Sequence, residues 1–129
     1  MPKRSRLWKS QPARKDFEAA QCYLSLIYPA PHTERLVHAL RLADTIEYAA
    51  KDLLRASALP LLPRDEPRVE GDLKRINKGK PLSPVLLIAG DMSKAMPLII
   101  ADGYHRVCAI CFYDEDAPVA CRVARIPKE

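Results

Sequence analysis

Ile99-Ile100-Ala101-Asp102-Gly103-Tyr104-His105-Arg106-Val107-Cys108-Ala109 is the stretch on which the reading of this chain turns. An apolar run of strand length ends at an acid and a glycine, and a segment apolar apart from Arg106 follows at once. The pattern predicts a strand over Leu98–Ala101, a turn at Asp102-Gly103 and a helix from about His105 to Tyr113. A helix entered through a glycine leaves its first amides without intrahelical partners, and its dipole favours an anion there. Arg106 is the one permanent charge on that helix. Buried unpaired it would be costly, so it needs an acidic partner or an anionic ligand. Phosphate suits its forked geometry. His105 adds a donor or a proton. The same residues allow a plainer outcome, in which Asp102 caps the helix, Arg106 pairs with an acid and no ligand exists.

Outward from the turn, Pro84-Val85-Leu86-Leu87-Ile88 reads as a strand, Gly90–Lys94 as a loop and Val119–Ile126 as a closing strand. Asp65 and Pro67 open a helix with Val69, Leu73 and Ile76 facing inward and Gly79 as its stop. Three short helices are expected before these elements. The first runs from Asp16 with Phe17, Ala20, Leu24 and Ile27, and the second from Thr33 with Leu36, Val37, Leu40 and Leu42. The third begins at Asp44-Thr45-Ile46-Glu47, which has the spacing of a capping box. The organisation expected is a basic flexible arm over 1–15, a helical extension over 16–58 and an α+β domain over 59–129.

The net charge of +5 belongs mostly to the arm. Lys3, Arg4, Arg6, Lys9, Arg14 and Lys15 precede the first acid, Asp16, and the remaining 15 basic residues face 16 acidic ones. An arm of this kind either binds nucleic acid through its phosphates, with strong salt dependence, or is a solvated tail. The basic cluster Lys74, Arg75, Lys78 and Lys80 poses the same choice, a phosphate or DNA backbone contact against a solvated face. Trp8 either stacks on a base or packs on the domain. No stretch reaches the roughly 18 apolar residues of a membrane span, and no secretory signal is evident, so an intracellular, cytoplasmic protein is expected. Cys22, Cys108, Cys111 and Cys121 lie among apolar neighbours and read as buried reduced thiols. Cys108 and Cys111 sit inside an apolar helix, away from the exposed start where a thiolate is stabilised, which favours core over metal or redox chemistry. His32 and His38 are six apart, on different helix faces, and read as surface histidines.

The order of elements adds to this. Pro81–Leu87, the strand ending Ile100-Ala101-Asp102, the turn Gly103-Tyr104-His105-Arg106-Val107-Cys108-Ala109 and the strand Val119–Val123 resemble the N-terminal domain of ParB partition proteins, with its Gly-x-x-Arg-x-x-Ala turn. The Gly-Cys-His-Arg turn of sulfiredoxins matches Gly103–Arg106 in all but one position. The resemblance covers about residues 59–127 and implies a small mixed sheet with helices. It also implies nucleotide phosphates at Gly103, Tyr104, His105 and Arg106, from ATP or CTP with magnesium. Family members include nucleotide-dependent DNA clamps, sulfinic acid reductases, kinases and nucleases. Tyr104 stands where sulfiredoxin has its catalytic cysteine, so that reduction is not expected. The second phosphate motif and helix-turn-helix domain of ParB clamps are not found in this sequence.

Three functions follow as expectations. The first is a nucleotide-binding domain, as a phosphotransferase or hydrolase with Asp102 and His105 catalytic. The second is a DNA-binding, regulatory or nuclease module using Lys3, Arg4, Arg6, Lys74, Lys78 and Lys80. The third is a non-catalytic module that engages a protein partner through residues 16–58.

Overall fold

The computed structural model describes residues 7–126. The elements are α1 (Arg14–Leu24), α2 (Ala30–Leu42), β1 (Ile46–Ala49), α3 (Ala50–Ser57), α4 (Pro67–Asn77), β2 (Val85–Ile88), β3 (Ile99–Asp102), α5 (Tyr104–Tyr113) and β4 (Pro118–Ala124). A single 3-10 turn, Met92–Lys94, interrupts the link from β2 to β3. The fold is α+β, with a four-stranded mixed sheet in the order β1-β4-β2-β3. β2 and β4 run parallel, while β1 and β3 pair antiparallel with β4 and β2.

The sheet is covered on both faces. Leu86, Ile88 and Ala124 pack with Phe17, Ala20 and Leu24 of α1 and Leu36, Val37 and Leu40 of α2. Val85, Leu87, Val119 and Cys121 pack on the other face with residues of α3, α4 and α5. This explains the unbroken apolar run of β2, whose four residues are all buried. Each such leucine contributes about 1.5–3 kcal/mol.

The helices around the turn begin close to where local chemistry places them. Glu66 caps α4, accepting from the amides of Arg68 at 3.2 Å and Val69 at 3.1 Å, with Pro67 in the first turn. Gly79 ends it at φ 72°. Asp16 sits in the first turn of α1, where its carboxylate accepts from the amide of Ala13 at 2.8 Å. α2 starts at Ala30, ahead of the expected Thr33, because prolines in a first turn forgo no helical hydrogen bond.

The third helix is the main correction. Asp44-Thr45-Ile46-Glu47 does not cap a helix; Ile46–Ala49 is a strand, in register with Cys121–Pro118. A cap is worth about 1 kcal/mol, and here a ladder with β4 competes for residues that favour strands. The helix starts only at Ala50, keeping Leu53 and Leu54 buried. The stretch 16–58 therefore supplies the sheet with an edge strand and helices. Ile27 lies beyond α1 and is 46% exposed, and Leu42 is 72% exposed, so neither joins the core. Cys22, expected inside, is exposed. No helix among the described residues is long and apolar enough to cross a membrane.

Candidate functional site

β3 delivers Asp102 and Gly103 to the head of α5. Gly103 adopts φ 109°, and a Cβ there would lie 2.4 Å from Cγ1 of Val85, so glycine is required by backbone and packing together. No side chain caps α5. The amides of its first turn are left without intrahelical partners.

Arg106 is occupied from within. Its Nη2 donates to Oδ2 of Asp102 at 2.6 Å, and its Nη1 to the carbonyl of Ser83 at 2.8 Å and to Oδ1 of Asp16 at 3.5 Å. The guanidinium is 13% exposed. Two carboxylates thus share one cation. Burial, joined by the neighbouring Asp16 and opposed by Arg106, pushes the carboxyl of Asp102 up to about 6.

Beside this pair lies a cleft of about 350 Å³. Lys15 and Asp16 of α1, Arg68, Gly71, Asp72 and Arg75 of α4, Ser83, and Asp102, Gly103, His105 and Arg106 line it. Four permanent cations face three carboxylates there, and two of those acids already hold Arg106. Lys15, Arg68 and Arg75 are exposed, while Asp72 is half-buried and its carboxyl is pushed up by burial against the pull of Arg106 and Arg75. His105 points its Nε2 at Glu66, 3.7 Å away.

Of the residues expected at the turn, Asp102, Gly103, His105 and Arg106 line this cleft. Tyr104 does not: its hydroxyl donates to the carbonyl of Pro60, which leaves its backbone at the head of α5. Arg106 grips acids of its own chain, the plainer outcome allowed by the sequence. Lys74 lies on another face of α4, 3.4 Å from Glu70. Lys78 and Lys80 are exposed outside the cleft, and Lys3, Arg4 and Arg6 fall outside the described residues. Trp8 packs on the domain, donating to the carbonyl of Pro118 at 2.8 Å.

The sequence reading overlooked Arg68 and Asp72 and set Arg75 only in a basic cluster with Lys74, Lys78 and Lys80. Arg68, Asp72 and Arg75, at spacings of four and seven, mark one face of α4, beside that of Val69, Leu73 and Ile76. That signal was available. Asp16 was read only as the start of the first helix, and nothing local ties it to Arg106.

Cys108 and Cys121 are buried, Cys111 is half-buried, and all the described cysteines are free thiols. Burial raises the thiols of all three, that of Cys121 to about 12, so they stay protonated in the core. His38 is exposed and His32 stacks on Tyr28, with ring centroids 4.7 Å apart. Compared with protein-family models, curated proteins and solved structures, the chain matches none.

Proposed function

We propose that the cleft between α4 and the head of α5 binds a phosphate-bearing small molecule, in a nucleotide-binding domain of ParB/sulfiredoxin-like type. The observation that carries the reading is the convergence of Lys15, Arg68, Arg75 and His105 on a helix start that no side chain caps. The resemblance of Gly103–Ala109 to the Gly-x-x-Arg-x-x-Ala turn supports a nucleotide, ATP or CTP with magnesium, over plain phosphate. The ligand-facing cations differ from those first expected. Arg68 and Arg75 take the phosphates, and Arg106 is a positioning residue that holds Asp102 and Asp16 on either side of the turn. Turnover requires a carboxylate that can bind metal or accept a proton. Asp102 is committed to Arg106, so Asp72, whose carboxylate makes no hydrogen bond among the described residues, is the acid that serves the ligand.

Thermal unfolding of the wild type and of Arg75→Ala tests this against ATP, CTP, GTP, their diphosphates and phosphate, with and without magnesium. A ligand of the native state alone stabilises it by about 2.7 kcal/mol at a hundredfold excess over Kd. The expected result is a shift for one nucleotide, lost in Arg75→Ala with the unliganded melting temperature kept. No shift with any of them, or a shift that Arg75→Ala leaves intact, overturns the reading.

A second reading, a non-catalytic module for a protein partner, is favoured by one observation. Tyr23, Leu26 and Ile27, at and just past the end of α1, are 45%, 84% and 46% exposed, an apolar group at the opposite end of that helix from Asp16, while the arginine of the turn is already paired. A nucleotide panel without effect moves the weight to this surface.

A further inference from the structure

β1 lies at one edge of the sheet, and among the described residues nothing pairs with its outer side. The neighbouring ladders fix which of its groups face outward. The amide of Ala89 donates to the carbonyl of Ala124 at 2.8 Å, so the even-numbered residues of β4 bond β2. The odd-numbered ones, Val119 and Cys121, therefore bond β1, through Tyr48 and Ile46. The amide of Ala50 donates to Ala117 at 3.4 Å, in the same phase. It follows that the N–H and C=O groups of Glu47 and Ala49 point away from the sheet. Ile46, Glu47 and Tyr48 are exposed, and the strand has none of the proline, lysine or bulge that commonly blunts an edge.

We propose that this edge pairs with β1 of a second copy of the chain, antiparallel about a two-fold axis at Tyr48. In such a pair opposed residues share a face, and bonded positions alternate with non-bonded ones. Centring the axis on Ile46 or Ala49 leaves much of each strand unpaired. Centring it on Glu47 sets two carboxylates directly opposite, which is destabilising. Centring it on Tyr48 brings the two tyrosines together at a non-bonded position. Glu47 of each copy then exchanges backbone hydrogen bonds with Ala49 of the other, so the two like charges no longer face each other directly. The outward groups satisfy each other in both copies, and the symmetry closes at two. A ladder this short covers less than the roughly 1,200 Å² of a standard interface, so the dimer is concentration-dependent, with Ile46 and Tyr48, 40% and 50% exposed, adding apolar cover.

The test uses the full chain. Sedimentation of the wild type over a wide concentration range should move from one-copy to two-copy mass. Glu47→Pro removes an outward amide and leaves the β4 ladder whole. It should weaken the dimer about tenfold or more with the circular dichroism unchanged. Tyr48→Cys, in a Cys22→Ser background that removes the exposed native thiol, should oxidise to a covalent dimer, and Glu47→Cys in the same background should do so much less. The proposal is overturned by one-copy mass at every concentration, by a dimer indifferent to Glu47→Pro, or by equal cross-linking at both positions. Capture of an extended peptide without self-association also overturns it.

Discussion

Arg106 Nη2 lies 2.6 Å from Oδ2 of Asp102, one helical turn earlier in the chain, while Nη1 of the same guanidinium reaches Asp16, 90 residues away. One cation therefore fastens α1 to the junction of β3 and α5. Removing it leaves two largely buried carboxylates without the cation they share. Arg106→Ala should cost about 3 kcal/mol, read as a lowered denaturation midpoint. Arg106→Ala/Asp102→Ala should recover part of the loss. A single variant as stable as the wild type would show that the pair does not fasten these elements.

Gly103→Ala meets two penalties, a backbone at φ 109° and a Cβ 2.4 Å from Val85 Cγ1. The two together should cost about 2–4 kcal/mol. Val85→Ala removes only the Cγ1 contact and leaves its own Cβ at 2.8 Å and the strained backbone, so the double variant should not return to the stability of Val85→Ala alone. Chemical denaturation of the set checks this.

The pair sets a pH dependence of unusual sign. Asp102 has its carboxyl raised from 3.8 to about 6 in the folded protein, by burial and by Asp16 against the pull of Arg106. Between these values the native state binds more protons than the unfolded chain, so the contribution of Asp102 falls as pH rises. The stability of the wild type minus that of Asp102→Asn should therefore decrease from about pH 4 to pH 6 and then level off. An increase over that window would mean that Arg106 outweighs burial.

Thiol labelling gives a direct check on packing. Cys22 is exposed, whereas Cys121 is buried with its thiol raised to about 12. In native protein Cys22 should alkylate first and Cys111 more slowly, with Cys108 and Cys121 reacting only on unfolding. Labelling of Cys121 at the rate of Cys22 would contradict the core described.

The parts of this fold legible in the sequence are those whose causes lie close together along the chain. Gly103 needs a turn, Gly79 ends a helix, Pro67 begins one, and the β2 run is apolar because both its faces are covered. β1 was not legible, since Ile46–Ala49 is a strand only in the presence of Pro118–Cys121. The candidate site divides in the same way. Asp102, Gly103, His105 and Arg106 are contiguous enough to be read, but the acid that completes the arginine's coordination comes from α1. On α4 a linear reading of basic residues mixes faces. Lys74 turns to Glu70 on one side, while its neighbour Arg75 lines the cleft.

The place of β4 between β1 and β2 has a consequence for how the molecule is made. The strand latest in the sequence is the one both its neighbours need. Until Pro118–Ala124 arrives, Ile46–Ala49 has no ladder to join, and β2 has only β3 beside it. Contacts this distant in sequence pay their loop-closure entropy before any reward, so they form slowly and together. On a ribosome the sheet cannot be assembled from the amino terminus onward. α1 and α2 can pack on each other and on the β2–β3 hairpin as these emerge, but β1 stays unpaired until the final strand leaves the tunnel and slots between the other two.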